Sequence, residues 1–188
     1  MKRKTFDTIL TAVGAALTVF LIVAGALGLW AYSFANSNVH NQLAQQQITF
    51  PTQAAFAAAK PGTEITPGML PYLQQYAGQP LVTGKQAEAY ADHFIAVHLQ
   101  AIGGGKTYSQ LSAESQADPT NTQLAGQVAT VFKGTTLRGL LLEAYAFWQM
   151  GQIALYAAIT CFVFAAIMLI LTILGFIHLR RTPDEAEI

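Results

Sequence analysis

The stretch that decides the fold is GQIALYAAITCFVFAAIMLILTILGFIHLRR, residues 151–181. Between Ile153 and Ile177 there is no charged residue and no proline over about 25 positions. At ~1.5 Å rise per residue, a helix of that length crosses a ~30 Å hydrocarbon layer with some tilt. A second apolar run extends from Ile9 to Tyr32. The two runs predict two transmembrane helices.

The composition also indicates a membrane protein. Only 11% of the 188 residues are charged, whereas soluble domains carry about 25%. Lys+Arg and Asp+Glu both number 10, so the formal net charge is zero. A nucleic-acid-binding protein needs a basic excess to neutralise phosphates, and this charge balance argues against that class. The lone cysteine, Cys161, cannot form an intrachain disulfide, and its apolar setting makes it an unreactive packing residue.

Basic residues flank the two apolar runs and predict the topology. Three cations precede the first run and two follow the second: Lys2, Arg3, Lys4, Arg180 and Arg181. By the positive-inside rule, both ends are cytoplasmic and the spans run antiparallel in the cell membrane. The predicted organisation is a cytoplasmic segment 1–8, a transmembrane helix 9–34, an extracytoplasmic domain 35–150, a transmembrane helix 151–179 and a cytoplasmic segment 180–188.

The first run shares one feature with a signal peptide. Ser33-Phe34-Ala35 is a small-x-small sequence of the kind that signal peptidases cleave. The apolar core of a signal peptide has about 7–15 residues, which is shorter than the run from Ile9 to Tyr32. We therefore predict that this segment is retained as a membrane helix.

Small residues recur at intervals of three and four along both runs. This spacing places them on one helix face, where small side chains allow two helices to approach closely in lipid. We predict that the two faces pack against each other within one chain. A homodimer that uses one of these faces is the alternative. The predicted packing residues are Gly14, Thr18, Gly25, Gly28, Gly151, Ala154, Ala158, Ala165 and Gly175.

The segment between the runs predicts a small all-α domain. Thr83-Gly84-Lys85-Gln86 fits a helix capping box and opens an amphipathic helix over 84–102. Thr107-Tyr108-Ser109-Gln110 is a second capping box, and it opens a shorter helix. No segment alternates strictly enough between apolar and polar residues to predict a strand. The expected fold is an antiparallel two-helix hairpin with this helical domain inserted between its spans.

Other helix boundaries follow from local signals. Asn36 to Gln47 is predicted to extend the first membrane helix outward. Thr66-Pro67 predicts a short helix with threonine as its N-cap. The second membrane helix is predicted to continue outward to about Thr135, with Gly134 as a kink or interruption. The segment 50–62 fits either a short helix or an extended connector.

Four residues on the predicted helix 84–102 are candidates for metal binding: His93, His98, Asp92 and Glu88. Zinc-binding histidines on one helix are usually four residues apart, as in His-Glu-x-x-His. His93 and His98 are five apart and do not converge on one face. This pattern favours a protein without catalytic residues, metal or cofactor. A metal-dependent enzyme or sensor that uses these residues is the alternative.

Arg138 and Glu143 are charged residues close to the second apolar run. They are five residues apart, so they do not form the usual pair along a helix. Glu143 is set among Leu140, Leu141 and Leu142, and it could pair with a cation elsewhere. We interpret Arg138 and Glu143 as candidate contacts for a partner protein. For Glu143, a charge that faces water at the headgroup level is the alternative.

Three segments of the chain are similar to a known family: GKQAEAYADHFI (84–95), FKGTTLRGLLL (132–142) and AYAFW (144–148). They resemble a family of uncharacterised actinobacterial membrane proteins of this size, which are often labelled as aromatic-ring-opening dioxygenase-like. The resemblance implies a two-span layout over nearly the whole chain, but it transfers no catalytic residue. The labelled activity would need an iron site, which the ligand spacing here does not supply.

These features predict a non-enzymatic membrane accessory protein. Its helical extracytoplasmic domain would bind another membrane protein or an envelope component, and its spans would contact the lipid bilayer. A homo-oligomeric assembly protein is the further alternative, in which the chain associates with itself. Nucleic acid is not an expected partner.

Overall fold

The computed structural model describes residues 3–183 and is all-α. Two long helices, α1 (Arg3–Gln45) and α6 (Thr122–Arg181), pack antiparallel, with short helical segments between them in the chain. The predicted all-α hairpin is therefore confirmed. The predicted cytoplasmic ends include residues 1–2 and 184–188, which lie outside the described residues. Among residues 3–183, the only β-type pairing is an isolated bridge between Thr49 and Pro80.

The chain divides into two compact units. The hairpin unit comprises the residues up to Phe34 and those from Met150 onward, and the middle unit is Ala35–Gln149. Both long helices contribute residues to each unit. The continuity of α1 to Gln45 confirms the predicted extension beyond the first apolar run.

The hairpin unit exposes most of its apolar surface. Only 22% of the most apolar window of α1 is buried, and 17% of that of α6. The core helix of a soluble protein would be mostly buried, whereas a lipid-facing helix exposes its apolar side chains. The two helices are therefore candidate membrane spans by length, composition and exposure. Among the exposed large side chains are Val19, Phe20, Leu27, Ile159, Phe164 and Leu174.

Within the hairpin unit, α1 and α6 contact each other through small side chains. A heptad repeat keeps one helix face toward its neighbour. A Cβ built at Gly28 would lie 3.0 Å from Cβ of Ala158 and 3.1 Å from the carbonyl oxygen of Ala154. Gly25 instead faces a large ring, since a Cβ there would lie 2.9 Å from Phe162. The buried positions recur every seven residues, at Thr11, Thr18 and Gly25 of α1 and Gly151, Ala158, Ala165 and Thr172 of α6.

A reciprocal pair of Thr-x-x-Gly segments lies in the same interface. A Cβ built at Gly14 would lie 2.9 Å from Oγ1 of Thr172, and one at Gly175 would lie 2.7 Å from Oγ1 of Thr11. The sequences are Thr11-Ala-Val-Gly14 and Thr172-Ile-Leu-Gly175. Because the helices are antiparallel, each threonine packs on the glycine of the other segment. Glycine at both positions leaves room for these hydroxyl-bearing side chains.

Short helices form the rest of the middle unit. Helix α2 is Gln53–Ala57, so the segment that fitted two conformations contains one short helix. Helix α3 spans 67–76 and joins an α-turn, Leu70–Leu73, to the 3-10 turns Pro67–Met69 and Gln74–Tyr76. Helix α4 spans 84–102, and α5 is Tyr108–Ala117. The capping boxes of Thr83 with Gln86 and of Thr107 with Gln110 are both formed, as predicted.

The predicted interruption at Gly134 is absent, because α6 is one continuous α-helix from Thr122. Gly134 instead allows a close approach, since a Cβ there would lie 2.5 Å from Cδ2 of Leu99. Thr66 is the N-cap residue of α3 and Pro67 lies in the first turn, as predicted, although the Thr66 side chain makes no capping hydrogen bond. The turn is closed through the Thr66 carbonyl, which accepts from the Met69 amide at 3.0 Å.

The middle unit has its own apolar core. Aromatic rings run through it, with Phe50 against Tyr76 and Tyr90, and Tyr90 against Phe94. Full burial of a large aliphatic or aromatic side chain contributes roughly 1.5–3 kcal/mol, so this core stabilises the unit. Its buried members are Val39, Leu43, Phe50, Phe56, Ile65, Met69, Leu73, Leu81, Ala87, Ala91, Ile95 and Leu141.

Candidate functional site

Helix α4 packs antiparallel on α6 within the middle unit, and this contact positions most of the polar candidates. At one end, Gly84 lies against Trp148, because a Cβ built at Gly84 would be only 2.3 Å from Cβ of Trp148. At the other end, Leu99 lies over Gly134. The N-terminal end of α4 therefore lies beside Trp148 of α6, and its C-terminal end lies beside Gly134. Polar side chains between these two contacts face each other across the helix pair.

Asp92 and Arg138 form one cross-helix pair. Nη2 of Arg138 donates to Oδ1 of Asp92 at 2.6 Å, and the two side chains are 38% and 37% exposed, respectively. Pairs this accessible to solvent typically contribute about 0–1 kcal/mol. Nε of Arg138 is buried and has no hydrogen-bond partner among residues 3–183. Arg138, a candidate partner contact, thus holds α4 against α6 in this structure.

Glu88 and Tyr145 form a second cross-helix pair. The negative charge of Glu88 raises the pKa of Tyr145 above its ordinary value of 10.0, with smaller contributions from burial and from the hydrogen bond to Glu88. The Tyr145 hydroxyl donates to the Glu88 carboxylate, so loss of its proton would place two negative charges together. Burial also raises the pKa of Tyr90, and the charge of Glu64 adds to that effect.

The Glu88–Tyr145 pair predicts an alkaline loss of stability. Because folding raises the pKa of Tyr145, the contribution of this pair is fully present below pH 10.0 and is lost as the pH rises through the folded-state pKa. In Glu88→Gln we expect a lower pKa for Tyr145. This pKa is measured from tyrosinate absorbance, as the difference between the titration curve of each protein and that of its Tyr145→Phe derivative. Glu114→Gln is the control, since Glu114 pairs with Lys106 at 2.7 Å. Equal titrations of Tyr145 in the wild type and Glu88→Gln would contradict this assignment.

The two histidines have separate partners. The His93 ring stacks on Tyr72 with a centroid distance of 3.4 Å and an interplanar angle of 3°. Nδ1 of His98 donates to the Phe94 carbonyl oxygen at 2.7 Å, which assigns the Nδ1 proton. Among residues 3–183, no three His, Cys, Asp or Glu side chains form a group that could hold a metal ion. The structure therefore does not bring the four metal candidates together.

A π-helical turn, Ala91–Ile95, interrupts the regular winding of α4. It includes both Asp92 and His93. A π turn widens the helix locally and changes the direction of the side chains in it. Asp92 reaches Arg138 from this turn, and His93 reaches Tyr72. Helical spacing in the sequence contains no signal for such a turn, so the directions of these two side chains were not predictable.

An apolar groove of about 450 Å³ lies elsewhere on the middle unit. One wall is the end of α1, over 39–46, and the other is the part of α6 over 137–147. Leu140 is 59% exposed and Phe147 is 38% exposed, so the groove is open to the surroundings. We call this feature the groove and define it by Val39, Gln42, Leu43, Gln46, Leu137, Leu140, Leu141, Glu143, Ala144 and Phe147.

Among the described residues that line the groove, Glu143 is the only charged one. Its side chain is exposed. Within the described part of the chain, the carboxylate takes part in no hydrogen bond or ion pair. The two other polar residues of the lining are the amides Gln42 and Gln46. The groove thus combines a buried apolar floor, an apolar α6 wall, an α1 wall of amides and an unpaired negative charge.

Comparison of the chain with protein-family models, with curated proteins and with solved structures gives no match. The groove includes Glu143, which the sequence singled out, but not Arg138. Gln42, Gln46, Leu137 and Phe147, which also line the groove, were not predicted as site residues. The four-residue spacing of Val39 and Leu43 marked an apolar face on this part of α1. That spacing could not show which face of α6 would lie beside it.

Proposed function

We propose that this chain is a two-span membrane accessory protein without enzymatic activity, whose middle unit binds a membrane or envelope protein through the groove. The exposed apolar faces of α1 and α6 support insertion in a bilayer. The flanking cations support cytoplasmic ends, which would place the middle unit on the extracytoplasmic side. The same layout is the one implied by the family that the sequence resembles.

The observation that carries this proposal is the unpaired carboxylate of Glu143 in an open, largely apolar groove whose other polar residues are Gln42 and Gln46. An open concave apolar surface with a charge available for pairing is typical of a protein-binding site. Without a bound partner, the exposed parts of Leu140 and Phe147 are in contact with solvent or lipid headgroups. Binding of a partner would remove that apolar surface from water and provide the carboxylate with a cation.

The candidates for chemistry favour a non-enzymatic role. A metal site or an acid–base site needs side chains that converge on one point. Here Asp92 pairs with Arg138, Glu88 with Tyr145, and His93 stacks on Tyr72. An iron site of two histidines and one carboxylate would require these residues to leave their present partners. The dioxygenase label of the family that the sequence resembles therefore receives no support from this geometry.

Purification of the tagged full-length protein from its native membranes in mild detergent tests the proposal. We expect a stoichiometric protein partner with the wild type and recovery at least about 10-fold lower with Leu140→Asp, as for a residue at the centre of an interface. Ile102→Asp is the matched control, because Ile102 is also exposed, at 40%, but lies outside the groove. This variant should retain the partner.

Two results would contradict the proposed function. One is equal partner recovery with Leu140→Asp and with the wild type. The other is stoichiometric iron or zinc in the purified protein that is lost in His93→Ala and His98→Ala. The mass of the complex in mild detergent distinguishes a different partner from a homo-oligomer.

A further inference from the structure

We propose that the groove binds a helix of a different membrane protein, and that this helix presents a lysine or arginine to Glu143. The inference rests on the proposed function and names the class of partner. Three features support it: the shape of the groove, its single charge, and the lack of an available cation on the corresponding segments of a second copy.

The shape of the groove fits a third helix. Its α6 wall, from Leu137 to Phe147, is about 16 Å long at 1.5 Å per residue, which corresponds to three helical turns. Leu137, Leu140, Ala144 and Phe147 follow one another at helical spacing along this wall. Val39, Leu43 and Leu141 are buried core residues and form the floor of the groove. The exposed side chains of the α1 wall are Gln42 and Gln46. A helix bound over this floor would pack an apolar ridge on the α6 wall and polar side chains on the α1 wall.

The charge of the groove selects a cationic occupant. Any occupant that covers the groove also removes water from the Glu143 carboxylate, and an unpaired buried charge is strongly unfavourable. A hydrocarbon chain of a lipid would offer that carboxylate no partner. A lysine or arginine on the bound helix would form a charge-assisted hydrogen bond with it. Gln42 and Gln46, on the α1 side, can bond polar groups beside that cation.

A second copy of this chain is a poor occupant. Two copies in one membrane have the same orientation, so a two-fold axis along the membrane normal places equivalent groove residues at one level. The two Glu143 carboxylates would then lie at the same level of one interface, and like charges repel. The groove-forming segments contain one arginine, Arg138, which is paired with Asp92, and one histidine, His40. Neither segment supplies a free lysine or arginine for the carboxylate of the other copy.

The class of partner follows from the proposed function, in which the two apolar helices hold this chain in a bilayer. A second protein held in the same bilayer keeps a fixed orientation toward this chain, which favours a specific helix–helix contact.

Photo-crosslinking in native membranes tests the inference. A benzophenone amino acid replaces Leu140 in the full-length protein, with the same replacement of Ile102 as the control site outside the groove. We expect a protein adduct at Leu140 only, and its peptide should flank a transmembrane segment and contain a lysine or arginine. Glu143→Lys should reduce the adduct at least about 10-fold, and Glu143→Gln should reduce it less. Changing the partner's cation to glutamate should restore the adduct of Glu143→Lys.

The outcomes separate this inference from the proposed function. An adduct with a membrane-protein peptide that lacks a cation, or failure of the charge exchange, would overturn the cationic helix but leave the docking function intact. A lipid adduct or an adduct with a second copy would also overturn the inference. No protein adduct above the level at Ile102 would contradict both. Circular dichroism of Glu143→Gln and Glu143→Lys would show whether each variant remains folded. If Glu143→Lys unfolds, an undiminished adduct in folded Glu143→Gln would overturn the role of the charge.

Discussion

Replacement of Gly84 by alanine is expected to destabilise the middle unit by about 2–3 kcal/mol, the usual cost of overpacking a closely packed site. A Cβ at this position would lie 2.3 Å from Cβ and 2.5 Å from Cγ of Trp148. These atoms are at the base of a large side chain and cannot move without the backbone of α6. The substitution would therefore separate the first turn of α4 from α6 and weaken the nearby Glu88–Tyr145 pair.

Two other glycines serve as matched controls for Gly84→Ala. A Cβ at Gly139 meets nothing within 4 Å, so Gly139→Ala should stabilise α6 by roughly 0.5–1 kcal/mol through its better helix propensity. At Gly134 the obstructing atom is Cδ2 of Leu99, at 2.5 Å, and the end of a leucine side chain can move. Gly134→Ala should therefore give an intermediate effect.

Thermal unfolding in mild detergent, followed by circular dichroism, measures this series. We expect Tm to fall by roughly 10 °C for Gly84→Ala, less for Gly134→Ala, and to stay level or rise for Gly139→Ala. Equal Tm values for Gly84→Ala and Gly139→Ala would show that α4 does not approach Trp148 as closely as described.

Cysteines at Gly28 and Ala158 are expected to form a disulfide within one chain almost completely. A Cβ at Gly28 lies 3.0 Å from Cβ of Ala158, and disulfides have Cβ–Cβ distances of about 3.5–4.5 Å. A small separation of the two helices brings the pair into that range. The experiment uses Cys161→Ala as background, because Cys161 is a free thiol three residues from Ala158 and could compete for the disulfide.

The control for this crosslink pairs Gly28→Cys with Ile159→Cys. Ile159 follows Ala158 directly but is 50% exposed on a different face of α6. We expect little crosslinking in that variant under the same mild oxidation in membranes. Electrophoresis without reductant distinguishes an intrachain product from a dimer. A crosslink between Gly28→Cys and Ala158→Cys that forms only between chains would contradict the hairpin and favour a homodimer.

Local signals in the sequence were sufficient for the helices and many of their ends. The capping boxes at Thr83 and Thr107 formed as predicted, because a cap depends on residues only three positions apart. The long apolar runs likewise predicted two antiparallel helices, since length and hydrophobicity are properties of a continuous segment. Gly134 was misinterpreted because its role depends on Leu99, which belongs to another helix.

The candidate site was only partly predictable for the same reason. Glu143 was identified because an acidic residue between leucines is visible in the sequence itself. The pairing of Arg138 with Asp92, which are 46 residues apart, was not visible. The α1 wall of the groove was not visible either, since nothing in residues 39–46 specifies that they lie beside 137–147.

The sequence by itself determined an all-α chain with two long apolar helices, because helix periodicity, capping and hydrophobic length act over a few neighbouring residues or one continuous segment. Only the tertiary structure decided which of the candidate charges are paired and that Glu143 remains available. Asp92, Glu88 and Arg138 find partners across the α4–α6 contact, whereas Glu143 lies in a groove without one. The physical reason is that pairing depends on distances between side chains from distant parts of the chain, and packing alone sets those distances.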